Sequence, residues 1–249
     1  MRKLLLCAVA TALSAAIPAR AAEITVSAAA SLTNAFRELA QSFAEANPGE
    51  RVLLNFAASD PLVQQIAKGA PVDVFASADQ EAMDKADKLK LLAPGTRKDF
   101  ATNTVVLVVP AASTLKVAAL ADLNTSGVQR LSTGNPASVP IGRYAKEALT
   151  QAGVWAQVEG KFVYGASVRQ SLDYVARGEV DAAFVYATDV MAQKDKVKVV
   201  LNVPTASPVT YPIAVLAGAP QPQLARRFAA YALSPAGQAI LVKYGFGRP

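Results

Sequence analysis

Short, nearly continuous apolar runs alternate along this chain with longer stretches in which apolar residues recur every three or four positions. The first rhythm suits strands buried on both faces and the second suits amphipathic helices, so the alternation predicts an α/β fold with largely parallel pairing. A strand is expected over 24–28. It is followed by a helix whose apolar face is Leu32, Phe36, Leu39 and Phe43 and which stops at Asn47, Pro48 and Gly49. The pattern then repeats: a strand over 52–56, a helix over 61–67 capped by Gly69, a strand over 72–76 and a helix over 80–90 opened by Asp79. The apolar runs 104–110 and 211–216 are expected to lie side by side. Between them sits a self-contained set, with strands over 129–133, 161–164, 182–186 and 197–201 and helices over 143–151 and 168–176. Two such crossings imply two lobes, 22–104 with 211–249 and 105–210, joined by two crossover strands with a cleft between them. Each lobe is then a mostly parallel sheet flanked by helices. The last helix is bounded by Ser234 as N-cap, Pro235 at its first position and Gly245 as C-cap.

The N-terminus departs from this rhythm. Arg2 and Lys3 precede an apolar run over 4–16 and the small-residue site Ala19, Arg20, Ala21, the layout of an export signal over 1–21 that is cleaved after Ala21. That run is too short to span a bilayer, and no other stretch reaches the roughly 18 apolar residues a span requires. A soluble, periplasmic mature protein is expected. Cys7, the only cysteine, falls inside the signal, and the chain contains no histidine. The formal charge of +6 drops to about +3 once Arg2, Lys3 and Arg20 are removed. The remaining Lys and Arg are interleaved with acids, as over 84–90, which reads as solvated helix surface and not as a nucleic-acid interface.

Candidate chemistry lies where strands hand over to helices. Ser31 and Ser59 each follow an apolar strand and are expected to act as N-caps, and two further helices begin at Pro140, Ile141 and Gly142 and at Ser167 and Val168. One such start is ordinarily just a cap. Four of them, at the carboxyl ends of strands in a two-lobed α/β protein, can turn free amides and hydroxyls toward a single cleft, which is a geometry for a small oxyanion. Tyr186 ends the strand over 182–186, where its phenol is either a core-edge group or a further donor to the same cleft. Lys146 and Arg169 read as solvated helix side chains, Arg143 is the one arginine at a strand-end loop, and Trp155, Tyr174 and Phe228 read as packing residues.

The stretches Ala28-Ala-Ala-Ser31-Leu-Thr, Phe56-Ala-Ala-Ser59, Gly69-Ala-Pro-Val-Asp73-Val-Phe-Ala-Ser77-Ala-Asp79, Val139-Pro-Ile-Gly-Arg-Tyr-Ala-Lys-Glu-Ala-Leu149, Val168-Arg169, Phe184-Val-Tyr186 and Lys243-Tyr-Gly-Phe246 occur in this order. Together they resemble the periplasmic molybdate-binding proteins of ABC transporters, over 24–246. The resemblance implies a type II periplasmic binding protein fold and a monomer that carries molybdate or tungstate to a cognate permease at the inner membrane, with no cofactor. It also implies the ligand set: the hydroxyls and amides of Ser31 and Ser59, the amides of Ile141 and Val168, and the Tyr186 phenol. Two departures from the family pattern stand out. Ala58 occupies a position where Ser or Thr is common, with Asp60 and Pro61 directly after Ser59, and Ile141 stands where a smaller residue is common. A carboxylate next to an anion site is tolerable if it faces water, so Asp60 is expected on the solvent side of the cleft lip.

Other readings compete with a molybdate carrier. Sulfate, phosphate or an organic acid are alternative ligands, although a buried carboxylate ligand would call for a bidentate arginine. A carboxylate-dependent enzyme is a further alternative, since the missing histidine and cysteine leave the usual nucleophilic and metal-dependent mechanisms without their parts. A sensory module fits poorly with an export signal and no preceding helix-turn-helix.

Overall fold

A computed structural model describes residues 22–249; the export signal expected over 1–21, with Cys7, lies outside the described residues. In chain order the first elements are β1 (Ala22–Ala29), α1 (Thr33–Ala46), β2 (Glu50–Ala57), α2 (Ser59–Ala67), β3 (Val74–Ala76), α3 (Gln80–Lys88) and β4 (Lys98–Asn103). The middle of the chain forms β5 (Val105–Pro110), β6 (Leu131–Gly134), α4 (Pro140–Gln151), α5 (Trp155–Val158), β7 (Phe162–Gly165), α6 (Val168–Ala176), β8 (Ala182–Tyr186), α7 (Ala187–Val190) and β9 (Val197–Val203). The last segment supplies β10 (Val209–Val215), α8 (Pro222–Leu233) and α9 (Pro235–Lys243).

These strands form two five-stranded sheets with one plan, β2-β1-β3-β10-β4 and β7-β6-β8-β5-β9. In each, three strands run parallel and the fourth is antiparallel to both of its neighbours. The expected pairing of the runs 104–110 and 211–216 does not occur. β5 pairs with β8 and β9, whereas β10 pairs with β3 and β4. Each crossing strand is an inner strand of its own sheet, because a run buried on both faces needs two neighbours to satisfy its backbone and cannot serve as a shared edge. β4 was not predicted. It is an edge strand with a largely polar sequence and few buried residues, so it carries little apolar signal.

Aromatic packing draws the chain end back onto the first sheet. Phe36 and Phe43 of α1 both meet Phe228 of α8 edge to face, at 6.2 and 5.4 Å, and Phe36 also meets Phe100 of β4 at 5.6 Å. Contacts of this type contribute about 0.5–1.5 kcal/mol each beyond their burial. α9 begins as its sequence predicts, with the Ser234 hydroxyl accepting from the Gly237 amide at 3.2 Å, and Gly245 follows at φ +84°. Asp79 caps α3 by accepting from Ala82 N at 3.1 Å.

Candidate functional site

β1, β2, β6 and β7 each run directly or through a short turn into a helix, and these four helix starts come together between the sheets. Ser31, Ser59, Ile141, Val168 and Tyr186 all line one small cavity with a volume of about 10 Å³. Every residue lining it is uncharged, and its remaining wall is mostly alanine, including Ala30, Ala58 and Ala78. Small side chains let the backbone amides approach the interior. The volume is that of about one water-sized sphere and lies far below the roughly 300–1,000 Å³ typical of sites for drug-sized organic ligands, so the cavity excludes large solutes.

The capping roles expected of the two serines are not what the structure shows. Ser31 lies within a single 3-10 turn, Ala30–Leu32, that precedes α1, and Ser59 is the first residue of α2, with Ala58 as the cap residue; neither serine side chain caps a helix. Their hydroxyls are therefore free of the helix amides, and the first-turn amides remain without intrahelical acceptors. Ile141 and Val168 occupy the second and first positions of α4 and α6, where the same holds. Ser167 does cap its helix, accepting from Gln170 N at 3.3 Å.

Hydrogen bonds behind the serines set which way their protons point. The Ser59 hydroxyl accepts from Ala78 N at 3.1 Å, which leaves its own proton for another acceptor. At Ser31 the ordering takes three residues. Asn103 Oδ1 accepts from Thr104 N at 2.9 Å, which fixes the amide so that its Nδ2 donates to Tyr211 Oη at 3.2 Å. The fully buried Tyr211 phenol must place its own proton, and its remaining partner is Ser31 Oγ at 3.1 Å. Ser31 thus accepts from Tyr211 and keeps its proton for the cavity. Burial pushes the Tyr211 and Tyr186 phenols well above the ordinary tyrosine range, so both hold their protons. Tyr186 Oη faces the Ala78 carbonyl at 3.4 Å, a long contact that leaves the phenol able to turn toward a better acceptor. Tyr211, Asn103 and Ala78 were missed in the sequence. Tyr211 had a visible signal, a polar-tipped residue opening an apolar run, but its partner is 180 residues away.

Charged groups surround the cavity without entering it. Asp60 does not face water as expected. It is buried, with Arg143 Nη2 at 2.7 Å from one carboxylate oxygen and Lys85 Nζ at 2.6 Å from the other. Arg169 is not simply solvated either, because its Nε pairs with the buried Asp189 at 2.7 Å. Lys146 lies over the Trp155 ring at 5.4 Å, and Trp155 stacks on Phe162, so both belong to packing at the outer edge of the second sheet. Burial raises the Asp189 carboxyl above its usual range while Arg169 pulls it down. The arrangement can hold an anion by neutral donors and offers no general base to the two serines, since every lining residue is uncharged and the chain has no histidine.

Residues 24–247 match the family described as bacterial extracellular solute-binding protein. The chain is 36% identical over 232 residues to the molybdate-binding protein ModA of Haemophilus influenzae, covering 92% of this chain and 91% of that one. It is 39% identical over 231 residues to the molybdate-binding protein ModA of Escherichia coli, covering 90% and 88%. Among solved structures, the periplasmic molybdate-binding protein of Azotobacter vinelandii superposes with a TM-score of 0.79 at 25% identity, covering 91% of this chain and 99% of that one.

Proposed function

Because this chain belongs to the bacterial extracellular solute-binding protein family, alongside molybdate-binding proteins along nine-tenths of its length, we propose that it is the molybdate-binding component of an ABC importer. The observation that carries this reading is the small, uncharged cavity at four helix N-termini, lined by all five residues that the family resemblance points to. We assign the oxyanion's donors to the Ser31 and Ser59 hydroxyls and amides, the Ile141 and Val168 amides, and the Tyr186 phenol. A tetrahedral dianion suits such a site: helix N-termini carry partial positive charge, and ordered hydroxyls supply protons without a neutralising cation. Tungstate, with the same charge and shape, is the second expected ligand.

The protein works by binding and release, without turnover. In this reading it is a monomer exported to the periplasm by the segment over 1–21, it closes on the anion there and presents it to a permease in the inner membrane. The decisive experiment is calorimetric titration of the mature protein with molybdate, tungstate and sulfate. Saturable one-to-one binding of molybdate and tungstate, with sulfate far weaker, supports the assignment. Equal affinity for sulfate, or no molybdate binding, overturns it.

A further inference from the structure

The two crossings of the chain leave α4 with the second sheet and Asp60 and Asp79 with the first, yet these residues are joined. Arg143, two residues after Ile141, donates from Nη2 to Asp60 Oδ2 at 2.7 Å and to Asp79 Oδ2 at 2.6 Å, and from Nε to Asp79 Oδ2 at 2.8 Å. Asp60 directly follows Ser59. The three side chains are only 15%, 6% and 6% exposed, so the cluster is largely withdrawn from water, although Arg143 and Asp79 also line an open groove at its rim. Each carboxylate is anchored on its far side. Asp60 Oδ1 takes Lys85 Nζ at 2.6 Å, and Asp79 Oδ1 caps α3 through Ala82 N at 3.1 Å. Glu81, exposed at the rim, adds a longer contact to Arg143 at 3.4 Å. None of the charged groups lines the anion cavity.

We propose that Arg143 is a positioning residue for anion capture: a clasp across the cleft that forms as the lobes close, neutralises Asp60 beside the site and slows release of the bound oxyanion without touching it. This rests on the oxyanion-binding reading above. Arg143 and its partners sit on opposite lobes, so their contacts exist only in the closed arrangement, and whatever they contribute favours closure selectively. The same helix that offers the Ile141 amide carries the clasp, which couples filling of the cavity to its formation. Without the guanidinium, two buried carboxylates would face each other next to a dianion. The opposite flank has a weaker counterpart. Arg169, next to Val168, reaches the first lobe at Asn34 Oδ1 (3.3 Å) and the Ser31 carbonyl (3.4 Å).

The test is molybdate dissociation by stopped flow in Arg143→Gln, Arg143→Lys and the double variant Arg143→Gln with Asp60→Asn. Arg143→Gln should release molybdate at least tenfold faster with little change in association, Arg143→Lys a few-fold faster, and the double variant should recover much of the Arg143→Gln loss. A purely structural role would lower thermal stability without that recovery. Dissociation within twofold of the parent in Arg143→Gln overturns the proposal, and if that variant does not fold, the same threshold applied to Arg143→Lys decides. A second measurement is independent of the ligand. Spin labels at Lys88→Cys in α3 and Gln151→Cys in α4 report the separation of the lobes in anion-free protein. The anion-free parent should show a minor closed-length component beside the main open one, Arg143→Gln should deplete that component, and a closed component of the same size in Arg143→Gln contradicts the clasp. Failure of the parent to bind molybdate would instead overturn the functional reading and leave the distance measurement standing.

Discussion

Ser31 offers its proton to the cavity because of what stands behind it. Asn103 donates to Tyr211, and with that oxygen occupied the Tyr211 proton is assigned to Ser31, so the serine's free hydrogen is aimed by residues that do not line the cavity. Ser31→Ala should weaken molybdate binding by roughly ten- to 150-fold, since a hydrogen bond to a charged partner contributes about 1.5–3 kcal/mol. Ser31 is not a cap, but its loss leaves the fully buried Tyr211 phenol without its acceptor, which costs about 1–3 kcal/mol of stability in the anion-free protein. Ser59→Ala acts in the same way. It strips the buried Ala78 amide of its acceptor, which costs about 1–3 kcal/mol of stability in addition to affinity. Parallel calorimetry and thermal melts of the two variants separate these effects. Tyr211→Phe should reproduce part of the Ser31 loss, and binding equal to the parent's would show that the relay does not order the serine.

Among the elements, α4 is held to the sheet by an absence. A Cβ on Gly142 would meet the Gly134 carbonyl oxygen at 2.0 Å, so the start of α4 rests directly on the end of β6, and the Ile141 amide is placed by that contact. Gly142→Ala should cost about 1–3 kcal/mol as an overpacked contact and also weaken anion binding. Retention of full affinity would show that α4 is not a donor. The helix starts also govern pH behaviour. Their amides do not titrate, the chain has no histidine, and burial raises the Tyr186 phenol so that it keeps its proton. Binding measured between about pH 6 and pH 8 should be flat, because no ordinary side chain in such a site changes charge there. An inflection near neutrality would point to a titrating group outside this donor set.

On the scale of the whole molecule, two sheets of one plan enclose the cavity, with two of the assigned helix starts coming from each. In the proposed reading, closure brings together donors that neither lobe has alone. The anion-free protein should have a larger radius of gyration in solution scattering than the molybdate-bound protein, and identical profiles would mean a site closed in advance. A hundredfold excess of molybdate over its dissociation constant adds about 2.7 kcal/mol of stability, or roughly 5–11 °C in melting temperature for a chain of this size. Sulfate at the same concentration should add far less.

Much of this was legible in the linear pattern. Strand and helix rhythm, the bounds of α9 and the strand-to-helix turns at Ser31, Ser59, Ile141 and Val168 follow from local propensity and spacing, which depend on neighbours within one or two turns of chain. Tertiary structure decided what those residues do. Neither the partners of β5 and β10 nor the edge strand β4 could be read locally, because pairing is chosen by burial of whole faces. Asp60 shows the limit most clearly. Next to Ser59 in sequence it reads as a charge that must escape to water, whereas in the fold Arg143, 83 positions away, and Lys85, 25 positions away, neutralise it where it stands. Ion pairs and hydrogen bonds act over about 3 Å, and such proximity between distant segments is set by the packing of sheets and helices, which no local run of residues specifies.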